Sequence, residues 1–213
     1  MQRRLSSKLV GRQLVVTSLA CIVVTVFPVI VAAALTPDYS HVSQFISELG
    51  ATGAPYEWWV RLAGFLPAGL LMLAFSCIAY IALPRSRQVT LSLAGLALYA
   101  MGYLVASVFP CDLGCRPLEP STSQLIHNTF GMAGYLVAPA FLFTLARKAR
   151  GWPGAGRLVV AGYIASAVAL AGVLTLSPSS DVVGLSQRAL EAAVLLWVAM
   201  LGVYVARRGT IAG

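Results

Sequence analysis

Six apolar segments, each close to the length a helix needs to cross a bilayer, occupy most of this chain. They run over residues 14–35, 62–83, 89–109, 126–146, 158–177 and 187–206. A hydrocarbon core about 30 Å thick takes roughly 20 residues of helix, and backbone inside it must satisfy its own hydrogen bonds. The pattern predicts an all-α, polytopic transmembrane bundle of six helices. Six spans leave little chain for a soluble domain, so residues 1–213 read as one domain. Only 10% of the residues are charged, where a soluble domain carries about 25%.

The connections between these segments sort by charge. All seven acidic residues (Asp38, Glu48, Glu57, Asp112, Glu119, Asp181, Glu191) lie on or beside one alternating set of loops. Twelve of the fifteen Lys and Arg lie on the other set, next to span ends. Basic residues at span ends mark the cytoplasmic side, so both termini are expected in the cytoplasm, with loops 36–61, 110–125 and 178–188 outside. The +8 net charge forms no basic patch apart from these anchors. That argues against nucleic acid and for membrane lipids as partners. The basic start, the first apolar run and Ala32-Ala33-Ala34 also resemble a signal peptide. That run exceeds the 7–15 residues of a signal core, so the first helix is expected to stay.

Cys21 and Cys77 fall inside spans and read as small buried apolar side chains. Cys111 and Cys115 share the second outer connection, in Phe109-Pro-Cys-Asp-Leu-Gly-Cys-Arg. An oxidising outer side makes a disulfide available, and Gly114 permits the turn. Unpaired thiols, or a metal or redox role, are the alternatives.

Glu191 is the most unusual residue, a carboxylate inside the last apolar run. A charge in a span usually faces the bundle interior and suggests function. Arg188, three positions earlier, offers the plainer alternative of an ion pair that pins the helix end. His127, beside Asn128 at the outer end of the fourth span, titrates near neutral pH and suits proton transfer. Loop 36–61 adds Asp38, His41, Ser43, Ser47 and Glu48. Glu48, His127 and Glu191 are the catalytic candidates, and Asp38, His41, Ser43, Asp112 and Arg188 the binding candidates. No HExxH or CxxC…CxxC spacing occurs, so no metal is assigned. No cofactor or protein partner is indicated.

Three stretches carry a family resemblance: Ser43-Gln-Phe-Ile-Ser-Glu-Leu-Gly-Ala-Thr-Gly-Ala-Pro-Tyr-Glu-Trp, Phe109-Pro-Cys-Asp-Leu-Gly-Cys followed by His127, and Gly184-Leu-Ser-Gln-Arg leading into the sixth span. They resemble the bacterial integral membrane proteins grouped as domain of unknown function 998. The resemblance covers essentially the whole chain and implies six helices, polar residues crowded on the outer face and residence in a bacterial cytoplasmic membrane. It implies no activity. The Ile-Ser-Glu-Leu-Gly…Ala-Pro pattern is also similar to the first outer loop of damage-regulated autophagy modulators and of proteins that remodel GPI-anchor lipids. That short likeness favours lipid processing or lipid binding at the outer face. A non-catalytic scaffold or sensor and a small-molecule transporter are the alternatives. The lack of ionisable residues near mid-membrane and of an internal repeat speaks against the transporter.

Overall fold

Apolar segments this long close their backbone hydrogen bonds within themselves, and six helices result. They are α1 (Gln2–Leu35), α2 (Glu57–Ala82), α3 (Arg87–Val108), α4 (Thr122–Ala149), α5 (Gly156–Thr175) and α6 (Val183–Arg208). In this computed structural model residues 2–208 are described, with side chains from Lys8 onward. Arg3 and Arg4, two of the twelve basic residues beside span ends, and residues 209–213 lie outside the described side chains. All six helices are long and apolar enough to cross a membrane, and the described residues contain no strand.

Two helices begin ahead of their apolar runs, where a serine caps them. Ser86 accepts from the Val89 amide at 3.3 Å ahead of α3. Ser121 does the same for Gln124 at 3.1 Å ahead of α4. Each cap satisfies an amide that the first helical turn leaves without a partner.

Each helix packs on its neighbours in the chain, and α1 closes on α6, so the six form an antiparallel ring. The reason is visible on α1. Its buried stripe of Leu14, Ser18, Cys21, Thr25 and Ala32 is smaller and more polar than its exposed stripe of Val16, Leu19, Val23, Phe27 and Ile30. In lipid the apolar side gains nothing from burial, and small residues that permit close approach face the neighbour instead. Gly134 does this for α3 and α4: a Cβ there would stand 3.0 Å from the Tyr99 Cα.

One irregular turn has a chemical cause. Pro67 lacks the amide that would bond the residue 63 carbonyl, and residues Val60–Phe65 widen into a π turn ahead of it. The wider turn sends the buried Arg61 side chain across to the end of α3. There its Nε donates to the Ser107 carbonyl at 2.8 Å and its Nη2 to the Val108 carbonyl at 3.4 Å. A cation on the carbonyl end of a helix complements the helix dipole. Trp58 and Trp59 are exposed beside it, and the Arg61 guanidinium lies 4.5 Å over the Trp58 ring.

Alternation of direction gathers the acidic connections at one end of the ring and most basic ones at the other. The loop-rich end holds nearly all the polar structure outside the helices, including the short 3-10 helices Ile46–Gly50 and Leu113–Cys115.

Candidate functional site

Glu191 lies eight residues beyond the start of α6, about 12 Å into the bundle at 1.5 Å per residue. It is 6% exposed. Its Oε1 accepts from the Tyr135 hydroxyl of α4 at 2.7 Å. Its Oε2 accepts from the hydroxyls of Tyr99 and Tyr103, four residues apart on α3. Gln187, one turn earlier on α6, donates to the Tyr135 oxygen at 2.7 Å and accepts from the Ile46 amide at 2.7 Å. One hydrogen-bond network thus joins loop 36–56, α6, α4 and α3 around a single carboxylate. The described residues contain one ion pair within 4 Å, Arg116 with Glu48 at 3.5 Å, so no Lys or Arg pairs with Glu191 among them.

The alternative of an Arg188–Glu191 pair that pins the helix end is therefore not met. Arg188 donates to the carbonyls of Gln44 and Gly184, both at 3.0 Å, and to the Tyr39 hydroxyl at 2.7 Å. Three helical positions separate two side chains by about 60°. That angle is enough to aim Glu191 into the ring while the long Arg188 stem reaches out to the loops. The direct partners of Glu191 are three tyrosines, and neither Arg188 nor Glu48, Asp112 or His127 bonds to it.

Above the carboxylate is a cavity of about 410 Å³. Glu191, Gln187 and the tyrosines form its floor, and Phe65, Ala106, Met132 and Leu176 its walls. Ser47, Cys115, His127 and Asn128 form its rim at the loop-rich end. Asn128, Met132 and Pro178 line it and are themselves exposed, so it opens beside α4 near the end of α5.

His127 and Glu191 share this cavity; the other candidates do not line it. The His127 Nδ1 is 3.0 Å from the Phe109 carbonyl. A carbonyl only accepts, so Nδ1 carries the hydrogen and Nε2 is the acceptor of the neutral ring. Glu48 is occupied in holding its own loop: it accepts from the Phe45 amide and the Gln44 side chain, both at 2.9 Å, and meets Arg116. Asp112 accepts from the Ser121 hydroxyl at 2.7 Å and amide at 2.9 Å, which holds its pKa below the usual carboxylate range. The Ser43 carbonyl receives Arg116 at 2.8 Å. Asp38 and His41 are exposed, with Asp38 in the left-handed region at φ 58°. Desolvation beside Tyr39, then the Arg188 cation, push the His41 pKa below its ordinary value. Among the described residues no three of His, Cys, Asp and Glu come together to hold a metal ion.

Cys111 and Cys115 stand with their Cα atoms 5.1 Å apart, inside the span a disulfide bridges. In a variant lacking Cys21 and Cys77, neither thiol is expected to react with maleimide before reductant is added. Rapid labelling of both without reductant would rule the bridge out.

Sequence reasoning missed Tyr99, Tyr103, Tyr135 and Gln187. A signal was present: a phenol inside an apolar run needs a partner for its hydroxyl, and Glu191 needed donors.

A family profile described as "Protein of unknown function (DUF998)" matches residues 3–204. No curated protein and no solved structure matches the chain.

Proposed function

We propose, for a chain that belongs to the DUF998 family, that it binds single amphiphilic molecules, lipids among them, in the Glu191 cavity. The observation that carries this reading is a polar, hydrogen-bonded floor beneath apolar walls in a cavity open at the side of a membrane-spanning ring. An alkyl chain fits walls of Phe65, Ala106, Met132 and Leu176, and a polar head fits the floor. Pockets with few convergent polar groups on an apolar lining are the usual form of small-molecule sites.

The loop-rich end is the extracytoplasmic one in this proposal, and the membrane is the cytoplasmic membrane of a bacterium. The basis is the gathering of Arg85, Arg87, Arg147, Lys148, Arg150, Arg157, Arg207 and Arg208 at the opposite end. Reporter fusions within 85–88 and 147–156 are expected to read cytoplasmic, and an extracytoplasmic signal at either position overturns this orientation.

Gly131 provides the test of the cavity. It lines the space, and a Cβ there meets nothing within 4 Å, so the side chain of Gly131→Leu starts into open space and takes up part of the cavity. Native mass spectrometry of protein released from lipid nanodiscs is expected to find bound amphiphile on the wild type and little on Gly131→Leu, at unchanged thermal stability. Equal occupancy of the two proteins sinks the reading and leaves the scaffold alternative.

A further inference from the structure

We propose that the cavity selects a cationic head, an amine or quaternary ammonium, over neutral and anionic heads. The inference rests on the amphiphile-binding reading and names the chemistry of its ligand.

Two observations carry it. The first is charge. Of the residues that line the cavity, Glu191 is the one acid, His127 is the one histidine, and no Lys or Arg is among them. Arg188, the nearest cation along α6, is directed to Gln44, Gly184 and Tyr39 instead. The second is the supply of donors. A phosphate or carboxylate head is held by N–H and O–H groups, and all but one of those on the floor side chains are already committed. The hydroxyls of Tyr99, Tyr103 and Tyr135 all donate to Glu191, and one N–H of the Gln187 amide donates to Tyr135, which leaves its second N–H as the single uncommitted donor. Beyond that one N–H, the floor offers a carboxylate and the π faces of clustered rings. Tyr99 and Tyr103 have centroids 5.9 Å apart, Tyr99 and Tyr135 6.0 Å, and Phe65 and Tyr103 6.1 Å. Aromatic faces attract ammonium groups, more strongly where water is excluded. A cation needs no donor from the protein.

The geometry also sets the reach of the ligand. The rim groups Ser47 and Asn128 line the same cavity at its loop-rich end. A zwitterionic lipid can therefore place its ammonium on the floor and keep its phosphate towards that rim.

The test uses full-length protein in nanodiscs and one photoreactive dodecyltrimethylammonium probe with a diazirine in its chain. Labelling of cavity peptides is read by mass spectrometry. Three unlabelled dodecyl competitors carry a trimethylammonium, a neutral hydroxyl or an anionic sulfonate head, and empty nanodiscs supply the partition control. The ammonium competitor is expected to displace the probe at a concentration about tenfold lower than the others, the worth of one moderate electrostatic contact. In Glu191→Gln that preference is expected to fall to within about twofold. In Tyr135→Phe, which keeps the charge, it is expected to persist. Should Glu191→Gln fail to accumulate, the head series on the wild type and on Tyr135→Phe decides.

Equal competition by the three heads, or preference for sulfonate, overturns the cation inference while leaving the cavity reading intact. A preference that survives undiminished in Glu191→Gln overturns it too. Labelling that no competitor displaces and Gly131→Leu does not reduce overturns both.

Discussion

Replacing Glu191 with Ala destabilises the membrane-embedded protein by about 3 kcal/mol, because three buried donors lose their common acceptor. An unsatisfied buried polar group costs about 1–3 kcal/mol. Tyr99, Tyr103 and Tyr135 all depend on this carboxylate. The costs do not add fully, since the three tyrosines share one acceptor and one network. Glu191→Gln retains one acceptor oxygen and nearly the same shape, so it is expected to lose about 1 kcal/mol. Tyr99→Phe removes one donor and leaves the acceptor in use, and should lose a similar amount. Reversible unfolding in mixed micelles measures all three. An Ala variant as stable as the wild type shows that water satisfies the tyrosines equally well, and Glu191 then has no organising role in the bundle.

Gly184→Val is expected to detach the loop before α2 from the head of α6. A Cβ at this position would meet the Gln44 carbonyl oxygen and stand 2.7 Å from that of His41 and 2.9 Å from that of Val42. These are backbone atoms, which cannot swing aside as a flexible side chain can. Forcing methyl groups into such a contact costs about 1–3 kcal/mol, while the gain in helix propensity over glycine is only a few tenths. The clash wins. The displacement also strains contacts on either side of it, the Leu185 amide to the Val42 carbonyl at 3.0 Å and Arg188 to the Gln44 carbonyl at 3.0 Å. Limited proteolysis from the loop-rich end should then cut within 38–44 at least tenfold faster than in the wild type. Amphiphile binding should fall as well, because Phe45, Ile46 and Ser47 line the cavity. Gly131→Leu is the control, a larger substitution whose Cβ meets nothing within 4 Å, and it is expected to leave the proteolysis unchanged. Cleavage of Gly184→Val at the wild-type rate would show that the loop does not depend on this contact.

Much of the architecture was legible without coordinates because a lipid environment acts on each segment almost independently. The six apolar runs became six helices, with ends shifted outward where caps such as Ser86 and Ser121 extend them. Glu191 and His127 were recognisable as polar residues in apolar runs, and both line the cavity. Glu48, Asp112 and Arg188 drew notice for the same charged chemistry, yet they stitch the loops together. Residue type alone does not separate a charge that faces a cavity from one that ties down a loop.

Length and hydropathy along the chain by themselves determined six membrane-crossing helices and the sorting of acidic and basic residues between two ends. Those properties are local, set by each segment against its solvent. Only the tertiary structure decided what Glu191 touches. Its partners stand 56, 88 and 92 positions away on two other helices, and Arg188, its neighbour in sequence, is aimed elsewhere. A hydrogen bond forms within about 3 Å and within a narrow range of angles, so its partner depends on how the helices rotate and pack. Glycines such as Gly134 permit that packing, and the spacing of polar residues along one chain does not encode it.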